Sequence, residues 1–198
     1  MHIVRSRDYP RLPWKNGLGV SQIIAASPDG AGYDDLHWQV SITGIEASCP
    51  FSQLPGIERH FMLLEGSGIE LECRDDLTGA AVRHRIDTAL EPISFSGDWR
   101  TECSLPGGPV RVLNVVTRRG LASARIRTHA ISDRIVLERS RAELLVAFVA
   151  SGALVAESSG AQAEALDTIV VERQAEGEIA FLPVNGTPAR LVEIAIPS

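Results

Sequence analysis

Cysteine is scarce in this chain of 198 residues, with only Cys49, Cys73 and Cys103. An odd number without a C-x-x-C pair argues against a disulfide scaffold or a zinc knuckle, and all three are read as packing residues. Lysine is scarcer still, with Lys15 alone. Together with a net charge of -6 and a pI near 5.4, this leaves no clustered basic surface of the kind nucleic acid requires. No apolar run approaches the roughly 18 residues of a membrane span, and Met-His-Ile-Val-Arg-Ser-Arg-Asp at the start is too polar for a secretory segment. The expectation is a cytoplasmic protein with no nucleic-acid or membrane partner. Helical periodicity is nearly missing, with Ser140 to Leu145 and Ala161 to Ala165 as the only weak candidates. Motifs of catalysis are missing as well. Ser52, His60 and Asp98 supply the residue types of a hydrolytic triad, but no nucleophile elbow surrounds the serine.

What is present is a succession of short β-like runs separated by turn signals. They cover Ser21 to Ala26, Trp38 to Ile45, Arg59 to Glu65, Gly68 to Cys73, Ala81 to Ile86, Pro92 to Phe95 and Val110 to Thr117. A second series follows at Ala124 to Ala130, Ser132 to Leu137, Glu143 to Ala150, Leu154 to Glu157, Thr168 to Glu172, Glu178 to Phe181 and Ala189 to Ile196. Strands of this length and spacing predict an all-β sandwich or barrel. The two series echo each other. Arg59 to Glu72 reads strand, Gly turn, strand, and so does Leu144 to Glu157, so that Gly152 answers Gly66. In each half a Pro/Gly turn then feeds a final strand with an arginine near its start. The pattern predicts two packed copies of one β unit, 1–122 and 123–198, in one compact molecule.

Particular motifs sharpen this. Trp14-Lys15-Asn16-Gly17-Leu18-Gly19, Trp38-Gln39-Val40-Ser41-Ile42, Pro50-Phe51-Ser52, Pro55-Gly56-Ile57-Glu58-Arg59, Ser96-Gly97-Asp98-Trp99 and Leu113-Asn114-Val115 together resemble the HutD/Ves family, and the order of elements resembles a cupin jelly roll doubled into a bicupin. The resemblance implies a regulatory role in histidine utilisation, with a small acidic metabolite as ligand. It also allows the metal ligands of cupins to be sought. Counted from Gly66 and from Pro106-Gly107-Gly108, their slots fall near Gln53 and Pro55, at Arg59 and at Arg111, and no histidine follows His129. Imidazole and carboxylate suit a first-row metal and arginine does not, so neither metal nor other cofactor is expected.

A guanidinium in a carboxylate slot inverts what a cavity attracts. Arg59 is expected to hold a small carboxylate in bidentate fashion unless Glu58, Glu65 or Asp98 already neutralises it. Strand alternation places Arg59, Phe61 and Leu63 on one face and His60, Met62 and Leu64 on the other. Around Arg59 the candidate ligand-binding residues are Trp14 as a flat wall, Lys15 as a second charge, Asn16 and Ser41 as hydrogen-bonding groups, His60 as a core histidine or a donor at the mouth, and Asn114 as a lone polar residue between valines. No catalytic residue is assigned, Asp98 is read as a turn residue, and Thr117-Arg118-Arg119-Gly120 as a solvated turn or as a run that pairs with acids at an interface. The reading is therefore a metal-free bicupin binding a small acid such as urocanate or formylglutamate. The alternative is a cofactor-free isomerase or hydrolase acting on the same class of compound. Jelly-roll edge strands often pair across a two-fold, which leaves a homodimer open, though no self-complementary patch stands out.

Overall fold

The computed structural model describes residues 1–138, 143–173 and 178–197. The chain divides into two compact units, one formed by Pro10–Ser123 and the other by Met1–Tyr9 with Ala124–Ser198. Strand β1 (His2–Val4) opens the chain. Then come β2 (Arg11–Pro13), β3 (Val20–Ser27), β4 (Trp38–Ile45), β5 (Cys49–Pro50), β6 (Ile57–Glu65), β7 (Ile69–Arg74), β8 (Ala81–Ile86), β9 (Ile93–Ser96), β10 (Arg100–Ser104) and β11 (Val110–Arg118). The remaining strands are β12 (Arg125–Ile131), β13 (Ile135–Leu137), β14 (Leu144–Ser151), β15 (Ala153–Ala156), β16 (Gln162–Glu164), β17 (Thr168–Val171), β18 (Ile179–Pro183) and β19 (Ala189–Ile196). The fold is all-β. Among the described residues, helical structure is confined to two short 3-10 turns at Ser6–Asp8 and Val184–Gly186, and no helix is long and apolar enough to cross a membrane.

In the Pro10–Ser123 unit a six-stranded sheet, β2-β3-β4-β11-β6-β9, packs on a four-stranded one, β5-β10-β7-β8. Their shared core draws Phe61 and Leu63 from β6, Val112 from β11, Leu71 and Cys73 from β7 and Cys103 from β10, all under 6% exposed. Each large side chain so buried stabilises the unit by about 1.5–3 kcal/mol before entropy is counted. Central strands β4, β11 and β6 are buried on both faces, which is why they read as near-continuous apolar runs. Register fixes which polar residues turn inward. Asn114 lies opposite both Ser41 and Phe61, and Val116 lies opposite both Gln39 and Arg59. Directly opposed residues share a face, so Gln39, Ser41, Arg59 and Asn114 all belong to the face that carries the core residue Phe61.

The second unit has a five-stranded sheet, β1-β17-β14-β19-β12, and a four-stranded sheet, β13-β18-β15-β16. Its core includes Leu145, Val149, Leu154, Ile169, Phe181 and Leu191, taken from both sheets. Its opening segment is held by one carboxylate. Asp167 accepts from Arg5 Nη1 at 2.7 Å and from the Ser6 amide at 2.9 Å, and the Tyr9 hydroxyl donates to the Leu166 carbonyl at 2.6 Å.

Strand order is the same in the two units once aligned. The run β4-β11-β6-β9 corresponds to β12-β19-β14-β17, and β5-β10-β7-β8 corresponds to β13-β18-β15-β16. The paired glycines correspond in detail. Gly66 (φ 109°) ends the β6–β7 hairpin so close to the next ladder that a Cβ there would lie 2.8 Å from the Pro109 carbonyl. At Gly152 (φ 75°) a Cβ would lie 2.8 Å from the Pro188 carbonyl. Strands β1, β2, β5, β10 and β16 escape the sequence patterns because they are two to five residues long and polar or proline-bearing, so pairing rather than periodicity defines them. At β16 an extended segment occupies Gln162–Glu164, where the sequence reads as a polar loop as easily as a turn of helix. Of the other helix candidate, Ser140 to Leu145, residues 140–142 lie outside the described residues and Leu144 and Leu145 begin β14.

Glycine at the two hairpins is required for close backbone approach as well as for φ. Gly66→Ala and Gly152→Ala should each cost about 2–4 kcal/mol, whereas Gly160→Ala, at φ 65° with nothing within 4 Å, should cost about 1 kcal/mol. Urea unfolding of the three variants measures the difference.

Candidate functional site

Arg59 is the third residue of β6 and is 8% exposed. Its guanidinium carbon lies 4.9 Å from the ring centre of Phe51 and 5.0 Å from that of Phe95, over both rings. Such contacts stabilise a cation but do not neutralise it. The three acids that could have done so are occupied elsewhere. Glu65 pairs with Arg111 at 3.0 Å, Glu58 lies 3.7 Å from Arg119, and Asp98 also binds Arg119. Among the described residues no ion pair includes Arg59, and its Nε is buried without a hydrogen-bond partner. Burial brings its pKa down to about 10, opposed by the nearby Tyr33 hydroxyl and Cys73 thiol. It therefore remains a cation at neutral pH.

Beside this group is a cavity of about 40 Å³, lined by Trp14, Ser21, Tyr33, Thr43, Phe51, Phe61, Arg59 and Asn114 among others. Its walls combine aromatic rings with the polar groups of Ser21, Thr43, Ser52, Arg59 and Asn114. Of only three tryptophans, two tyrosines and five phenylalanines in the chain, Trp14, Tyr33, Phe51 and Phe61 line the space and Phe95 backs the guanidinium. Trp14 Nε1 donates to Ser21 Oγ at 3.1 Å, and Ser21 Oγ and Thr43 Oγ1 are 2.7 Å apart. Burial pushes the Tyr33 hydroxyl above its usual pKa, against the opposing Arg59 charge and a hydrogen bond with Ser21, so it stays protonated. Asn114, 9% exposed, keeps its Oδ1 buried and unpartnered. An unpaired cation, an unpaired acceptor and aromatic walls are the ingredients of a site for a small anion.

Of the seven residues singled out in the sequence, Trp14, Arg59 and Asn114 line this cavity and four do not. Lys15 does not line the cavity and forms an ion pair, with its Nζ 2.6 Å from Asp34 Oδ1. That hydrogen bond and charge hold the Asp34 carboxyl below its usual range. Asn16 is a strut. Its Nδ2 donates to the Pro50 carbonyl at 3.0 Å, its Oδ1 accepts from the Leu18 amide at 3.1 Å, and its own amide donates to Ser52 Oγ at 3.1 Å. Ser41 is buried on the inner face, and its hydroxyl reaches the Asn114 carbonyl at 3.5 Å. His60 alternates to the other face of β6, where Nδ1 is 2.7 Å from Ser94 Oγ. Burial lowers its pKa, with Glu58 opposing, so it is neutral at pH 7.

Sequence patterns do not single out Tyr33, Ser21, Thr43 or Phe95. Alternation along β3, β4 and β9 points the last three inward, but Tyr33 comes from the irregular segment between β3 and β4, where no periodicity exists to read. Its placement depends on Arg118, which is corrected from a solvated turn residue to a clamp. Arg118 Nε donates to the Leu36 carbonyl at 2.8 Å, and Nη2 donates to the carbonyls of Tyr33 and Asp34, both at 2.9 Å. Arg119 serves the neighbouring turn through the Ile57 carbonyl at 3.1 Å and Asp98. Asp98 in turn accepts from the Gly56 amide at 2.7 Å, in keeping with a turn role. Arg111 faces Glu65, and among the described residues no group of three or more His, Cys, Asp or Glu gathers as a metal site.

Three charge-assisted bonds to backbone make Arg118 the anchor of one cavity wall. Arg118→Ala should lower stability by about 2–4 kcal/mol and speed amide exchange across Tyr33, Asp34 and Leu36, read by hydrogen–deuterium exchange, with little change in β7 or β8.

The sequence pattern of the family described as HutD matches residues 6–186. A protein of Pseudomonas putida described as an uncharacterised 21.2 kDa protein in the hutC 3′ region is 30% identical over 166 residues, covering 84% of this chain and 82% of that one. Protein Ves of Citrobacter koseri is 34% identical over 129 residues, 65% of this chain and 62% of that protein. Among solved structures, HutD from Pseudomonas fluorescens SBW25, determined in a formate condition, superposes with a TM-score of 0.77 at 25% identity and covers 100% of this chain and 99% of that one. Oxalate decarboxylase from Lactobacillus farciminis, at 9% identity and a TM-score of 0.66 over 98% of this chain and 85% of that one, shares the fold alone.

Proposed function

The chain belongs to the HutD family, and from that premise we propose that it is a cytoplasmic bicupin whose Pro10–Ser123 unit binds a small carboxylate metabolite as part of the regulation of histidine utilisation. The two units with one strand order support the bicupin reading, as products of duplication that each form a jelly roll. The observation that carries the ligand reading is Arg59, a buried cation that lines the cavity, has no acid beside it among the described residues and keeps a buried Nε without a hydrogen-bond partner. The guanidinium carbon lies over the rings of Phe51 and Phe95, and a planar carboxylate is the partner its N–H groups match. Gene-region naming of the Pseudomonas putida relative supports the pathway. It makes urocanate and formylglutamate the first candidates.

Catalysis on the same class of acid is the less supported reading. Acid–base turnover needs a group in the cavity that exchanges protons near neutrality. Arg59 and Tyr33 both stay protonated there, and His60 lies on the opposite face of its strand.

Isothermal titration with formate, urocanate and N-formylglutamate should give saturable heat for at least one of them. Arg59→Leu should abolish it, whereas His60→Gln should leave affinity within about twofold, because His60 does not reach the cavity. Affinity should be level through neutrality and fall as pH rises through about 10, where the Arg59 cation is lost. Ligand NMR spectra unchanged over hours support a binder, while product signals favour the enzyme. Flat titrations across the series overturn the proposal.

A further inference from the structure

We propose that Asn114 is a second recognition point in this cavity, so that the preferred ligand is a carboxylate that also carries a hydrogen-bond donor, an N–H or O–H. The inference rests on reading the cavity as an anion site and specifies what else that anion must offer. Asn114 sits mid-strand in β11 between Leu113 and Val115, both 0% exposed. An amide in an otherwise apolar central strand costs stability unless each of its polar atoms is matched. Its Oδ1 is not.

Among the described residues none of the neighbouring donors reaches Oδ1. The Ser41 hydroxyl is directed at the Asn114 backbone carbonyl rather than at its side chain. Trp14 Nε1 is spent on Ser21, and Ser21 is paired with Thr43. Gln39, one rung along the same face, has its own Nε2 without a partner, so it does not supply Oδ1 either. Arg59 and Asn114 lie diagonally across the β6–β11 ladder, Arg59 opposite Val116 and Asn114 opposite Phe61, and both line the same space. The cavity thus has a guanidinium that only donates and, at Asn114, an amide whose Oδ1 is an unmatched acceptor. A plain carboxylate leaves Oδ1 unmatched, whereas a ligand with a donor at its other end can match it as well. Sites built to match a polar group discriminate sharply against the isostere lacking it, since the site's own atom is then left unpaired.

Oxamate and pyruvate provide the test, because they differ only in an amide NH2 in place of a methyl group. Wild-type protein should bind oxamate at least about tenfold more tightly than pyruvate by isothermal titration. In Asn114→Leu, oxamate should weaken to the level of pyruvate, whose own affinity should stay within about twofold; in Arg59→Leu both should be lost. Equal affinities in the wild type, or tighter pyruvate, with both lost in Arg59→Leu, overturn the role of Asn114 and leave the anion site standing. No binding of either acid at millimolar concentration overturns the anion site and the role of Asn114 together. Should Asn114→Leu not fold, the wild-type comparison decides alone.

Discussion

A guanidinium held out of water with no carboxylate beside it is the constraint around which the Pro10–Ser123 unit is arranged. Removing such an ion from solvent costs several kcal/mol, and a structural ion pair would be the ordinary remedy. Here Glu58, Glu65 and Asp98 are all within sequence reach and all turned to Arg111 or Arg119. The rings of Phe51 and Phe95 offset part of the cost without cancelling the charge. What remains is a local cost in stability that no ion pair among the described residues offsets.

The charged and amide residues that do not touch the cavity still decide its shape. Asn16 fastens the Trp14 turn to Pro50, next to Phe51. Arg118 carries the backbone of Tyr33, and Asp98 with Arg119 fixes the Gly56 turn that leads into β6. The Lys15–Asp34 pair links the turn bearing Trp14 to the segment bearing Tyr33. A pair as exposed as this contributes little to stability, and its effect is on where two aromatic walls stand.

The two units show how one topology accommodates opposite interiors. Arg59 stands seven residues before Gly66, and Leu145 stands seven before Gly152. Leu145 is fully buried in an apolar core, so the charged position of one unit is filled by hydrocarbon in the other. At the position of Asn114, counted from Val110 and from Ala189, the second unit has Glu193. It is 1% exposed, with one oxygen 2.7 Å from His129 Nε2 and the other unpartnered. Both interiors thus keep one polar residue in the middle of their last strand, bound to His129 in the second unit and sharing a cavity with Arg59 in the first.

By itself the sequence determined the longer strands, the hairpin glycines, the family and the face that Arg59 shares with Phe61 and Leu63, because period-two alternation and turn glycines are local properties of the chain. It also located Trp14 and Asn114, through a glycine-rich turn and an amide among valines. The partners of Lys15, Asn16 and Arg118 were settled only by tertiary structure, since Asp34, Pro50 and the Tyr33 carbonyl reach them across gaps of 19, 34 and 85 residues. The same holds for the isolation of Arg59. Whether a buried cation meets an acid depends on which of several nearby carboxylates the sheet register turns toward it, and that is decided only when the strands pair.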